Sequence, residues 1–341
     1  MKLSVVDQSP VPAGFTAADA LNNTIDLAKL CDRLGYQRYW IAEHHATGAF
    51  ASPAPEIMIA RVAAETRHIR VGSGGVMLPH YSPMKVAETF RMLHALYPGR
   101  IDLGIGRAPG GSPLDTYALR RDRESQSTTD DFPRQLLELI AFLNQSFRPD
   151  HAFSRIHLSP AMPGHPEIWM LGSSMWSADA AAQLGLPYSF AHFIDPNPTR
   201  KAIEYYRSHF KPSNELSKPV AALGIGAICA DTDDEAQRLA SSVRMFVRNA
   251  RRGDRGPIPT PESALAELSS TPLDPDPMFR ETGEWPRSLI GTADTVRDQL
   301  IDIASVLGVE EAMIVTVVHD HQARLHSYQL LASAFHLKPR P

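Results

Sequence analysis

The chain has 341 residues, 43% of them hydrophobic, which is ample for a large core and suits one α/β barrel as well as two smaller domains. Its net charge of −4 comes from 34 basic and 38 acidic side chains that are scattered rather than blocked, which excludes the basic footprint of a nucleic-acid binder. The isolated Cys31 and Cys229 exclude a disulfide framework, MKLSVVDQSP lacks a signal-type apolar core, and no run is long enough to span a bilayer, so a cytoplasmic protein without a membrane partner is expected.

Leu3 to Val6 reads as a first buried strand. Thr16 then caps a helix whose apolar positions Leu21, Ile25, Ala28, Cys31 and Leu34 share one face, and Gly35 ends it. Arg38 to Ala42 forms a second strand and delivers Glu43, His44 and His45 at its end. Ser52 with Pro53, and Ser82 with Pro83, each read as a helix start, a capping hydroxyl followed by proline at the first helical position. Between them lies a strand from Ile69 to Ser73, followed by Gly74 and Gly75. The fourth strand, Arg100 to Gly106, ends at Arg107. A loop rich in glycine, proline and charge runs from there to about Ser127, ahead of a helix from Phe132 to Leu143 and an irregular stretch from Pro149 to Pro166.

Ile168 to Leu171 is a short apolar run without helical spacing, bounded by Gly172, and reads as a buried strand. A helix from Ala178 to Leu184 follows, stopped by Gly185. Further strands are expected at Tyr188 to His192, Ala221 to Cys229 and Ala312 to Val318. Helices are expected at Thr199 to His209, Asp234 to Asn249, Thr292 to Val306 and Arg324 to Phe335. Eight strands thus alternate with helices, and the early units repeat at about the ~30 residues of a βαβ crossover. This pattern predicts a single-domain α/β fold, a (β/α)8 TIM barrel with insertions, over residues 1–341, with an open doubly wound sheet as its rival. The proline-rich and charged Arg251 to Ser288 reads as an insertion or lid.

In such a barrel the chemistry gathers where strands end. Asp7 and Gln8, Glu43 to His45, Gly74 and Gly75, Arg107, Ser173 to Ser177 and His192 would share one rim. Gly172, Ser173, Ser174 and Ser177 lie at the mouth of a helix, where unpaired N–H groups and the helix dipole collect an anion, and Arg107 offers a bidentate fork for a phosphate. Gly104-x-Gly106 and Gly72-x-Gly74 lack the third glycine of a dinucleotide fingerprint; Gly74 and Gly75 fit better as backbone that approaches a flat ligand. His44 and His45 have no HxH or HExxH spacing, so no metal is expected, and they read as an acid or base near neutral pH. Ser177 stands in no GxSxG elbow, and no strand-end lysine suggests an aldolase. Phe50, Met77, Tyr117, His192 and Phe193 are candidates for shaping a substrate pocket.

The segments YWIAEHH, VGSGGVMLPHYSP, GRIDLGIGRAPG, WMLGSSMWSADAAAQLGLPYSFAHF, RSLIGTADTVRDQL and EEAMIVTVVHDHQARLHSYQLLA resemble, in this order and over nearly the whole chain, the bacterial luciferase-like flavin-dependent monooxygenases. The resemblance implies a barrel that binds reduced FMN, supplied by a separate flavin reductase, and uses O2 to oxygenate a small organic substrate through a flavin peroxide. It implies His44 as the catalytic histidine, a cis peptide at Gly74-Gly75 beneath the flavin ring, Glu43 beside that ring, and Arg107, Ser174 and Ser177 at the cofactor phosphate; Ser173, read as cofactor-binding from its place at the helix mouth, departs from the bulkier, differently charged residue of the luciferase subunits. His45, Met77 and His192 would face the substrate, and a homodimer is implied. Two alternatives stay open: hydride transfer from a reduced deazaflavin, and a flavin-binding protein without turnover.

Overall fold

Apolar strands separated by amphipathic helices fold here as a repeating strand and helix order in a computed structural model that describes residues 1–107, 112–119, 131–270 and 284–341. The first half runs β1 (Lys2–Asp7), α1 (Ala17–Leu34), β2 (Arg38–Ile41), α2 (Pro55–Glu65), β3 (Arg70–Met77), α3 (Pro83–Leu96), β4 (Ile101–Gly106), α4 (Pro113–Leu119) and α5 (Phe132–Asn144). The second runs β5 (Glu167–Gly172), α6 (Met175–Leu184), β6 (Tyr188–Ala191), α7 (Thr199–His209), β7 (Ala221–Ala230), α8 (Asp233–Arg251), α9 (Pro261–Ser270), β8 (Ser288–Thr292), α10 (Ala293–Leu307), β9 (Glu311–Val315) and α11 (His321–Ala334).

Every pairing between these strands is parallel. Each of β1 to β7 pairs with the next, and β9 closes the ring by pairing with both β7 and β1. The result is a closed (β/α)8 barrel of β1 to β7 and β9, as the alternation predicts, and not an open sheet. A ninth strand, β8, pairs only with the C-terminal part of β7, from Gly226↔Ser288 to Ala230↔Thr292, beyond the stretch that meets β6. Its five residues carry only Leu289 and Ile290 as large apolar groups and end in the N-cap of α10, so nothing in SLIGT separates it from a helix lead-in.

Local signals explain most boundaries. Thr16 and Asp19 form a reciprocal capping box at α1, and Gly35 ends that helix at φ 93°, a left-handed conformation that suits glycine. Two expected starts are corrected. α2 begins at Pro55 with Ala54 as its N-cap, while Ser52 is buried and its carbonyl accepts the His44 N–H at 2.9 Å, so the Ser52-Pro53 pair anchors the loop after β2 instead of starting a helix. α6 begins at Met175 rather than at Ala178, because Ser174 and Ser177 cap each other. Within the expected insertion, α8 extends to Arg251, Ile258 bridges to Pro12, and the Gly48 N–H donates to the Arg255 carbonyl at 2.9 Å. Residues 271–283 of it lie outside the described residues. No helix among the described residues is long and apolar enough to cross a membrane.

One apolar core lies between the strands and the helices; a second fills the barrel and includes Val6, Trp40, Trp169 and Met313. Beneath the inner core, at the N-terminal end of the barrel, sits a buried charge cluster. Arg38 donates from Nε to Glu311 (3.1 Å), from Nη1 to Asp102 (2.8 Å) and from Nη2 to Glu167 (3.3 Å), so each guanidinium nitrogen has a carboxylate. Asp102 also accepts from Arg70 Nε at 2.8 Å and from Trp40 Nε1 at 2.9 Å. Burial opposes the charge on Arg38, but Asp102, Glu311 and Glu167 outweigh it and raise its pKa. Removing one partner of such a cluster leaves buried charge uncompensated. Asp102→Asn should therefore lower stability by about 3 kcal/mol, read as a lower urea midpoint at unchanged slope; an unchanged midpoint would show that the cluster does not hold the barrel together.

Candidate active site

Side chains alternate along a strand, so only every second residue of each barrel strand faces the interior. Above the charge cluster these inward positions are Val6, Trp40, Gly74, Leu171, Ser189 and Gly224. With the loops that follow the strands they enclose a cavity of about 500 Å³ at the C-terminal mouth. Trp40 lies at its base, its ring held edge-on to Trp169 at 5.2 Å and its Nε1–H fixed by Asp102. One wall is backbone. The Gly74-Gly75 peptide is cis. A Cβ on Gly75 would stand 2.7 Å from Leu171 Cδ1 and 2.8 Å from the Gly104 carbonyl, so that wall admits no side chain and presents a flat slot.

The opposite end suits an anion. Ser173 and Ser174 line the cavity where β5 passes into α6. The Arg107 guanidinium lies over the Trp176 ring, 4.9 Å from its centroid, which brings a fixed cation to the first turn of α6. The N–H groups of Met175 and Trp176, as the first two of the helix, have no partner within it. The Ser174 hydroxyl accepts from the Ser177 N–H at 3.5 Å, and Ser177, which is buried, donates to the Ser174 carbonyl at 2.8 Å and meets Tyr188 Oη at 3.0 Å. Ser177 therefore shapes the helix mouth, while Arg107, Ser173 and the first N–H groups of α6 lie together at this end of the cavity.

Glu43 and His44 reach the same cavity from the end of β2. The Glu43 carboxylate is buried and receives the Tyr81 hydroxyl at 2.7 Å, His45 Nε2 at 2.7 Å and the Met77 N–H at 2.9 Å, so it ties the end of β2 to the end of β3. His44 packs its ring against Phe50 at 4.5 Å, and its Nδ1 is buried with no hydrogen-bond partner. Burial, reinforced by His45, pushes its pKa down to about 4. This corrects the expectation of a histidine titrating near neutrality: His44 is a neutral imidazole at pH 7.

Of the residues singled out in the sequence, Glu43, His44, Gly74, Gly75, Met77, Arg107, Ser173, Ser174 and Ser177 all line the cavity. His45 does not; it serves Glu43 from behind. His192 does not line it either, being fully buried with its ring between Thr199 Oγ1 (2.7 Å) and the Pro286 carbonyl (2.9 Å), where burial lowers its pKa. Asp7 points outward, as strand alternation requires once Val6 faces in, and pairs with Arg324 at 2.5 Å under α11. Tyr117 is 49% exposed on α4 and stands clear of the cavity. Trp40, Leu171 and Trp176 also line the cavity, although apolar residues in a strand or a first helical turn read as core from sequence; only the barrel register turns them toward the mouth. Among the described residues no cluster of three or more His, Cys, Asp or Glu side chains could hold a metal ion.

A parallel (β/α)8 barrel whose mouth joins a glycine-walled slot to a helix N-terminus and an arginine offers a site shaped for a ligand that is flat at one end and anionic at the other. The family model described as luciferase-like monooxygenase matches residues 1–311, and the chain belongs to that family of flavin-dependent monooxygenases. It is 35% identical over 339 residues to the N-acetyl-S-alkylcysteine monooxygenase of Bacillus subtilis, covering 98% of each chain. It superposes on the crystal structure of apo-MsnO8 with TM-score 0.91 at 51% identity, covering 99% of both. The oxygenating constituent of 3,6-diketocamphane monooxygenase from Pseudomonas putida, solved with FMN, shares the fold at TM-score 0.71 and 20% identity, covering 100% of this chain and 99% of that one.

The depressed pKa of His44 has a consequence for stability. Between about pH 6.5, where an unfolded histidine titrates, and about pH 4, the unfolded chain binds a proton that folded His44 refuses, so the His44 contribution to stability falls as pH falls through that window. The loss reaches at most about 3 kcal/mol at ~1.36 kcal/mol per pH unit. His44→Asn should flatten the decline of the melting temperature between pH 6.5 and 4.5; parallel profiles for the two proteins would mean that His44 titrates normally.

Proposed function

We propose that this protein is the oxygenase of a two-component system, which accepts reduced FMN from a separate flavin reductase and uses O2 to oxygenate a small organic substrate. The observation that carries this reading is the joining, in one cavity, of an anion-binding helix end, a slot walled by Gly74 and Gly75, and a buried neutral histidine. The residues present fit FMN. Arg107, Ser173 and the first N–H groups of α6 would hold its phosphate, and Gly74, Gly75, Leu171 and Trp40 would face its ring. FMN, when bound, supplies the electrons and the oxygen-transfer chemistry. The same reading gives the protein a homodimeric state and a cytoplasmic setting.

The side chains then divide the work. Arg107 and the helix end neutralise the phosphate and orient the cofactor along the cavity. The apolar walls exclude bulk water from the reacting end. His44 presents an open Nδ1 that accepts or returns a proton at that atom, and its neutral form at pH 7 keeps it available as an acceptor. Glu43 is a positioning residue: by holding Met77 N–H, Tyr81 and His45 together it fixes the slot wall relative to His44.

Anaerobic titration with reduced FMN, followed by mixing with oxygenated buffer, tests the reading. Saturable binding with reoxidation slower than that of free flavin is the expected result; reoxidation at the free-solution rate would leave a flavin carrier. Arg107→Ala should weaken FMN binding by roughly 10- to 100-fold, the value of one charge-assisted contact of ~1.5–3 kcal/mol, and leave riboflavin, which lacks the phosphate, unaffected. Equal losses for the two ligands would place Arg107 away from the phosphate.

A further inference from the structure

Gln8 directly follows β1, and the strand parity that turns Val6 into the barrel and Asp7 away from it turns Gln8 inward again. Both of its neighbours, Asp7 and Ser9, are fully buried and tightly held. Asp7 pairs with Arg324 at 2.5 Å and accepts the Tyr39 hydroxyl, and its carbonyl accepts the Ala42 N–H at 2.9 Å. Ser9 adopts a left-handed conformation at φ 51°, its N–H donating to Asp7 Oδ1 at 2.7 Å and its hydroxyl accepting from Thr24 at 2.9 Å. A residue other than glycine in that region costs free energy and persists where its surroundings overdetermine it. The Gln8 carboxamide, by contrast, makes no hydrogen bond to any described residue.

What Gln8 faces is the meeting of two compartments. Beside the cofactor cavity the barrel mouth holds a second chamber of about 220 Å³, and Gln8, Phe193 and Ile194 line both. Most of the chamber wall is apolar, with Ile228, Val315 and Val317 from the barrel and Val243, Phe246 and Val247 from α8. Phe50 joins it to the chemistry, since its ring lies 4.5 Å from His44 and edge-on to Phe246 at 5.4 Å, and Pro10 bridges to Phe50 just beyond Gln8. The polar side chains of the wall are Gln8, Arg287 and Ser288. Arg287 is already engaged within the protein, and Ser288 packs its hydroxyl against Gly226, Oγ standing 2.0 Å from where a Cβ on that glycine would lie. The carboxamide of Gln8 is left as a neutral donor and acceptor on the wall that the compartments share.

A polar group set among apolar ones discriminates by hydrogen bonding, because a ligand that cannot pair with it leaves it desolvated and unmatched. The chamber's volume lies below the ~300–1,000 Å³ of pockets for drug-sized ligands, which suits a body of about one ring. We propose that Gln8 is the residue that positions the substrate: the second chamber takes the apolar body of a small uncharged compound, and the Gln8 carboxamide N–H donates to its neutral carbonyl or hydroxyl oxygen. The oxygen-bearing end is thereby held where the two compartments meet, beside the cofactor cavity that His44 lines.

This assignment rests on the larger cavity being the flavin site, and titrations on flavin-free protein keep the two readings apart. Ligand-observed NMR titration compares acetophenone with ethylbenzene, which has nearly the same shape without the oxygen, and with benzoate, while FMN binding is measured in parallel. The wild type should bind acetophenone about fivefold more tightly than ethylbenzene, the value of one neutral hydrogen bond, and more tightly than benzoate. Gln8→Leu should bring acetophenone down to the ethylbenzene level and leave ethylbenzene unchanged, which a merely structural change would not do. Val247→Phe, which fills the chamber from α8, should weaken both neutral ligands and retain wild-type FMN affinity. No saturable binding of acetophenone, equal binding of acetophenone and ethylbenzene, tighter binding of benzoate, a preference that survives Gln8→Leu, or indifference to Val247→Phe would each overturn the assignment. A wild type that selects acetophenone through Gln8 yet binds no FMN would uphold the role of Gln8 and overturn the flavin site beside it.

Discussion

The buried cluster around Arg38 is the constraint on which the mouth of the barrel depends. A closed barrel of eight strands has an interior just wide enough for side chains to fill, so whatever plugs one end sets the depth left at the other. Here the plug is ionic. Arg38 engages carboxylates from β4, β5 and β9 at once, drawing three strands to a fourth, and through Asp102 it also fixes the indole of Trp40. Trp169 is tied likewise, its Nε1–H donating to Glu167 at 2.8 Å while Arg38 lies 4.7 Å over its ring. The base of the cavity is therefore Trp40, backed by Trp169, and charges one layer below set the orientations of both rings. Such a cluster is poor evidence for stability, because desolvation consumes much of its Coulombic gain; what it provides is a fixed height for the floor.

Above the floor, the two walls of the cavity differ in the kind of atom they expose. The β3 and β4 side is backbone, because Gly74, Gly75 and Gly104 pack so closely that a methyl on Gly104 would stand 2.2 Å from the Ser73 carbonyl. The β5 side carries the donors: Ser173, the start of α6 and, leaning across Trp176, Arg107 from the end of β4. A ligand that is flat at one end and anionic at the other meets both demands, and a uniformly apolar or uniformly charged ligand meets only one.

Much of this was legible in the sequence because the governing signals are local. Alternating strands and helices indicate a barrel, strand ends indicate the rim, and serines before a helix indicate an anion site. What escaped is what depends on partners distant in the chain. Asp7 and His192 follow strands as the rim residues do, yet parity turns Asp7 toward Arg324, 317 residues away, and His192 is held by Thr199 and Pro286. Ser52 with Pro53 has the form of a helix start but serves the His44 backbone. β8 is invisible because its strand character comes only from lying beside β7. The low pKa of His44 escaped for a related reason: a histidine's ordinary value is a property of the residue, and its shift is a property of what packs over it.

His44 shows how these levels meet. Its backbone is held by Ser52, its ring by Phe50, its neighbour Glu43 by three donors from β3 and the loops, and none of these contacts satisfies Nδ1. A buried polar atom without a partner is costly, and folded proteins satisfy the great majority of theirs. That the chain spends so many contacts on orienting this ring while leaving one nitrogen open is the arrangement of a group whose partner arrives with a ligand. The apolar packing that leaves Nδ1 open also keeps the ring neutral, so the feature that costs stability at low pH is the one that leaves an uncharged imidazole at the edge of the cavity.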